Sequence, residues 1–241
     1  MCNIKLYLII VLLPFLSIGC KEQGLQTYSG PDYVHFTPSA SGANQVVNIN
    51  FAETQTTREM ELKVPVELSV WGFMPEKLTK YMVSCNNEKS TGVANKDYVE
   101  FSYGEYRPGL PKDTLWITVK RGVELLKTDF CIRVCLEEMD GYNIGPLAYS
   151  YADINVTDKV NKPKWWNQAI ASKLGEYYDI KFRLFCYFEG KYITSLEEYS
   201  GVSFGNKIKD FKKWWKDQWE EGNFVYYSTD GVTPLYETIS D

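Results

Sequence analysis

The sequence predicts a mainly β chain with a small helical cap: a β-sandwich over residues 33–158, then a helical, aromatic-rich region over 163–241. Three observations predict this. Residues 58–72, "REMELKVPVELSVWG", alternate apolar and polar side chains without a break, the period of a half-buried strand. Shorter runs of the same kind flank it, separated by Gly, Pro, Asn and Asp. From about residue 160 the apolar period changes to that of helices.

In the long run, Met60, Leu62, Val64, Val66, Leu68 and Val70 mark one face, and Glu59, Glu61, Lys63, Pro65, Glu67 and Ser69 the other. Pro65 has no N–H to give a ladder, so this strand is expected at an edge or with a bulge there. "YVHF" (33–36) and "VVNINF" (46–51) precede it. "KLTKYMVSC" (77–85), "YVEFS" (98–102), "TLWITVKR" (114–121), "FCIRVCLE" (130–137) and "YADINVTD" (151–158) follow. "SYGEYRPGLPKD" and "DGYNIGP" read as turns. Short strands at this punctuated spacing suggest an immunoglobulin-like sandwich.

In the cap, "VNKPKWWNQAIASKLG" reads as a helix with Pro163 in its first turn and Gly175 as its C-terminal stop. "YYDIKFRLFCYFEG" fits either period, with helix preferred. Residues 205–222 carry a helical stripe of Ile208, Phe211, Trp215 and Trp219.

The N-terminus reads as an export signal over residues 1–19. Lys5 supplies its positive charge, and residues 6–16 supply an uncharged apolar run. A helix of that length rises about 16 Å, too short to span a bilayer and suited to a cleaved signal. "LSIGC" resembles a bacterial lipobox. It implies a lipid-modified Cys20 as first mature residue, and several acyl chains give a stable membrane anchor. Lys21 after it, in place of Asp, points to the outer membrane, and residues 20–32 complete the tether.

The net charge of −5, about −6 once Lys5 leaves with the signal, argues against a nucleic-acid partner. Cys85, Cys131, Cys135 and Cys186 remain after Cys2 and Cys20 are accounted for. Free thiols are favoured over a disulfide, since Cys131 and Cys135 on one strand would lie about 13 Å apart. A zinc site is not expected, with no CxxC and His35 as the one histidine. His35 lies in a strand, and no GxSxG, HExxH, P-loop or GxGxxG occurs, so no catalytic residue and no cofactor are assigned.

The order of motifs carries a further resemblance. The lipobox, "YSGPDYVHF", "KVPVELSVWG", "STGVANKDYVEF", "VKRGVELLKTDFCIRVCLE" and "KPKWWN…LGEYYDIKF" together resemble the domain of unknown function 4843 family. These are surface lipoproteins of Bacteroidota, often encoded beside nutrient-uptake outer-membrane complexes. The sandwich part is distantly similar to Calx-beta domains, with "TGVANKDY" (91–98) as the shared loop. Calcium is not carried over, because Arg121 stands where an acid would help, and Glu137, Glu138 and Asp140 read as a solvated turn.

The expectation is a non-catalytic outer-membrane lipoprotein, exposed at the cell surface and accessory to nutrient uptake. It would bind an extracellular glycan or other polymer. The alternative is an assembly subunit docking on an outer-membrane transporter, with no ligand of its own. Trp165 and Trp214 flank the apolar stripes and are the expected stacking residues, with Tyr103, Tyr106 and Tyr142 in predicted loops.

Overall fold

The computed structural model describes residues 28–54, 60–197, 199 and 202–240. The signal, Cys20, most of the tether and Glu59 lie outside the described residues. Asp32–Asp241 forms one compact unit, and residues 28–31 belong to a separate one.

Among the described residues, nine strands build two sheets. They are β1 (Tyr33–Phe36), β2 (Gln45–Asn50), β3 (Glu61–Trp71), β4 (Thr79–Cys85), β5 (Tyr103–Tyr106), β6 (Lys112–Lys120), β7 (Phe130–Met139), β8 (Asn143–Ile144) and β9 (Tyr151–Thr157). One sheet runs β6-β3-β1-β8, the other β2-β9-β7-β4-β5. The alternation of β3 becomes burial: Val64, Val66 and Leu68 are fully buried, while Lys63 and Pro65 are exposed. β6, β7 and β9 alternate in the same way, so Leu115, Ile117, Val134, Ile154 and their neighbours fill the space between the sheets.

β3 is an interior strand between β6 and β1 with no bulge at Pro65, so the expected edge is only local: β1 pairs with Leu68–Trp71 alone, and Pro65 has a strand on its β6 side only. Glu67 turns its backbone away from β6: its N–H donates to Gln45 Oε1 at 2.9 Å, and its C=O accepts from Thr37 N at 2.9 Å. Pro65, two residues earlier, presents its backbone on the same side. The β1 ladder ends at the Phe36–Leu68 pair, so the missing N–H breaks no ladder bond.

Two strand expectations are corrected. Residues 98–102 make only two isolated bridges, both at Tyr98, to Ala94 and Val119, and the Tyr98 side chain is buried in the core. The strand lies instead at β5, inside the stretch expected as a turn, pairing Tyr103 with Met82 and Tyr106 with Thr79. Gly104 marks close packing there: a Cβ would meet the Tyr81 ring at 2.2 Å.

The cap has three helices, α1 (Gln168–Leu174), α2 (Asp179–Glu189) and α3 (Val202–Glu220). α1 starts later than Pro163 suggests, because the Asn167 side chain caps it by accepting from Ala169 N and Ile170 N. Trp166, Phe182, Phe185, Phe211, Trp215 and Leu235 form its core. Lys181 is fully buried among them; its ammonium donates to Leu174 O (2.8 Å), Glu176 O (3.0 Å) and Thr238 Oγ1 (2.7 Å). Burial pulls its pKa down to about 8, partly opposed by Glu176.

Sandwich and cap meet through Asp158, just past β9 and 1% exposed. Arg121, after β6, and Arg183, on α2, both donate to it. Arg121 is thus committed to an ion pair with Asp158. Cys85, Cys131, Cys135 and Cys186 are free thiols. Burial pushes the Cys186 thiol up to about 12.

Candidate functional site

The parity of β3 continues to its end. The face that carries Lys63, Pro65 and Glu67 also carries Trp71, which is 42% exposed. Opposite Trp71 in the ladder stands Tyr33, so both rings rise from the outer face of the β6-β3-β1-β8 sheet. β8 forms the next wall. Asn143 N donates to Asp32 O at 2.9 Å and Gly145 N to Val34 O at 2.8 Å, pinning this short strand parallel to β1. Gly145 is required for that approach, since a Cβ would meet His35 Cβ at 2.9 Å.

Tyr33, Trp71, Ile144, Gly145 and Pro146 enclose an open groove of about 440 Å³. Tyr149 meets Trp71 edge-on, with centroids 6.1 Å apart and planes at 89°, and its hydroxyl donates to Gly42 O at 3.0 Å. The indole is therefore held from the side rather than free to swing. At one rim Phe73 is clamped by its backbone: its N–H donates to Asp32 Oδ1 at 2.7 Å, and its C=O accepts from Tyr142 Oη at 2.7 Å. Its ring stays 59% exposed.

No lining residue is charged. His35 lies beneath Trp71, centroids 4.1 Å apart, and is 1% exposed. Burial holds its pKa below 6.5, helped by Lys112 and opposed by a backbone hydrogen bond at Ser69. Its Nδ1 has no hydrogen-bond partner. The imidazole is covered, so it supports the indole and offers the groove no base. An uncharged groove with a held, exposed indole and flanking phenols suits stacking on a sugar face or another flat, weakly polar surface. Among the described residues no cluster of His, Cys, Asp and Glu is placed to hold a metal, and no helix is long and apolar enough to cross a membrane.

The residues expected to stack from sequence fall elsewhere. Trp165 is half-buried in the cap, stacked on Trp166, with its N–H given to Ile193 O at 3.1 Å. Trp214 is half-buried among Tyr187, Phe188, Phe211 and Phe224. Their expected exposure is corrected: both pack against the cap core. Tyr106 is corrected most sharply. It lies in β5 and is fully buried, because its parity on that strand points inward. Tyr103 also lies in β5 and is 72% exposed, on the other sheet. Of the five, Tyr142 alone adjoins the groove, through Phe73. Tyr33, Trp71 and Tyr149 were missed, although the parity of 58–72 already put Trp71 on the polar face.

The fold and groove define a two-sheet β-sandwich with a packed helical cap and an aromatic surface groove. The chain belongs to the DUF4843 family, described as a domain of unknown function, whose model matches residues 28–191. No curated protein matches it. Among solved structures it is similar to CBD12 from CALX1.2, at 15% identity over 53% of this chain and 44% of that one (TM-score 0.37). It is similar to a Bacteroides ovatus ATCC 8483 protein assigned provisionally to carbohydrate binding, at 8% identity over 53% and 37% (TM-score 0.38). A two-domain protein of unknown function from Bacteroides fragilis NCTC 9343 matches at 12% identity over 70% and 58% (TM-score 0.35). The chain thus spans less than two thirds of each of these structures.

Proposed function

We propose that this protein is a non-catalytic lipoprotein of the outer membrane, anchored through Cys20 and exposed at the cell surface. In this reading it captures an extracellular glycan or other polymer in the Tyr33–Trp71 groove, as an accessory of a nutrient-uptake system. The observation that carries the reading is the exposed, edge-held indole of Trp71 in a groove without charged lining. A polymer gains by stacking there, and an uncharged site discriminates against highly ionic ligands.

A panel of insoluble and immobilised polysaccharides, glycoprotein glycans and peptides tests the binding. Retention on at least one glycan, lost with Trp71→Ala, is expected. Silence across the panel would sink the ligand-capture reading. The anchor has its own test: Cys20→Ser should move the protein out of the membrane fraction, and unchanged fractionation would contradict lipidation.

A second reading has an observation in its favour. Phe73, Met74 and Leu147 expose apolar surface at 59%, 47% and 83% near the same end of the sandwich. Such a rim suits docking on a neighbouring protein, here an outer-membrane transporter. Co-purification with a transporter, abolished by Phe73→Ser with Leu147→Ser and without glycan binding, would favour an assembly subunit.

A further inference from the structure

The outer face of the β6-β3-β1-β8 sheet carries a second exposed indole. Trp116, in β6, is 58% exposed. Its neighbours Leu115 and Ile117 are buried between the sheets, so strand parity turns Trp116 outward. Pro65 stands opposite it in the β3 ladder, on the same face and also exposed. Side chains paired in this way lie about 4.5–5.5 Å apart at Cβ, which places the flat proline ring beside the indole. Trp71 shares that face of β3, and the stretch from Pro65 to Trp71 spans about 20 Å at the rise of a strand.

The interval between the two indoles is polar and balanced. On β3 and β6 it consists of Glu67, Ser69, Lys112 and Thr114, which share the outer face through their ladder pairs. Lys112 and Glu67 are the charged members, and they pair with each other at 2.7 Å. His35, opposite Ser69 on the β1 side, is covered. The strip is therefore two apolar platforms joined by hydroxyls and a neutralised ion pair. A protein partner fits this poorly, because interface cores are depleted of Lys, Glu and Ser. A sugar chain fits it well. A pyranose ring offers C–H groups on its face to an indole, and hydroxyls at its edge to polar side chains.

We propose that Trp116 with Pro65 forms a second stacking site, and that one extended, uncharged polysaccharide chain lies along the strands from Trp71 to Trp116. The proposal rests on the polymer-capture reading above and names its substrate class. An extended chain keeps successive rings on one line, as two indoles on a single sheet face require. A chain that coils leaves the face after one contact. The Lys112–Glu67 pair leaves no net charge between the platforms to favour an anionic polymer. A disaccharide reaches one platform and a hexasaccharide reaches both, so affinity rises with chain length across that interval.

Cellohexaose, xylohexaose and β-mannohexaose, each beside its own disaccharide, are titrated calorimetrically into the purified full-length protein. The native protein should bind at least one hexaose at least tenfold more tightly than its disaccharide. Trp116→Ala should weaken that hexaose at least tenfold and leave the disaccharide within twofold. Trp71→Ala should weaken both. Trp116→Phe, which keeps an aromatic face, should recover part of the hexaose affinity. Equal affinity for hexaose and disaccharide, or unchanged hexaose affinity in Trp116→Ala, overturns the second site. So does polysaccharide retention that is lost in Trp71→Ala while no hexaose binds; in each of these cases the groove reading stands. A native protein silent toward the hexaoses and toward the whole polysaccharide panel overturns both.

Discussion

Arg183 Nη1 lies 2.8 Å from Asp158 Oδ1, and this contact joins the central cap helix to the end of the sandwich's last strand. Because Arg121 holds the same carboxylate, the two partners are not equivalent. Removing the acid takes the bidentate partner from Arg121 and the one side-chain hydrogen bond among the described residues from Arg183, while removing Arg183 leaves the bidentate Arg121–Asp158 pair intact. Asp158→Ala is expected to cost about 3–5 kcal/mol, the range for breaking a buried pair. Arg183→Met should cost about 1.5–3 kcal/mol, the worth of one bond to a charged group. Urea unfolding of both variants measures the difference. Equal losses would mean that Arg183 contributes as much to the cluster as the shared carboxylate.

Lys181 makes a second link, tying the end of α1 to the C-terminal turn through Thr238. Its pKa falls from 10.5 to about 8. Between those values the unfolded chain holds the proton more tightly than the folded one, so this group's contribution to stability rises with pH there and is constant below. Compared with Lys181→Met, the native protein should therefore gain stability from pH 8 to 10.5. The comparison cancels the buried tyrosines, which pull the other way. A flat or falling difference would show that the three acceptors around Nζ outweigh burial.

Gly104 is expected to resist any side chain. Gly104→Ala places a methyl 2.2 Å from the Tyr81 hydroxyl and ring. Overpacking of that kind costs about 1–3 kcal/mol. The double change Gly104→Ala with Tyr81→Leu should recover part of the loss, because the obstructing ring is gone. Thermal unfolding of the set checks it; additive losses would place the strain elsewhere.

His35 predicts an acid-side effect. Its folded pKa lies below 6.5, so the unfolded chain binds more protons in the window between the folded value and 6.5. Stability should fall as pH drops through that window and be independent of this group above it. His35→Phe should lose that dependence, measured by urea midpoints from pH 4 to 7.5. An unchanged profile would remove His35 as its source.

Much of the fold was legible because parity and burial agree. The residues 58–72 gave β3 and its inward face without any tertiary information, while the edge that Pro65 suggested is only local, because β3 lies between β6 and β1. The stretch 103–106 was not legible: Gly104 and Pro108 read as turn chemistry, and only the Tyr81 ring beneath explains a glycine inside a strand. Trp165 and Trp214 misled for a related reason. They fall beside the ideal helical stripes, but α1 starts only after Trp165, and Phe224 folds back against Trp214. The groove itself joins β1, the end of β3 and residues 144–149, a conjunction fixed by sheet order rather than by local pattern.

The central claim is that Trp71 is the stacking residue. The most direct measurement is calorimetric affinity for a polysaccharide retained by the panel, with Trp71→Ala and Trp214→Ala side by side. Losing a held aromatic contact should cost about 1.5–3 kcal/mol, so Trp71→Ala should bind at least tenfold more weakly. Trp214→Ala, confirmed as folded by circular dichroism, should stay within twofold of the native protein. Full affinity in Trp71→Ala, with or without a loss in Trp214→Ala, would contradict the groove as the site.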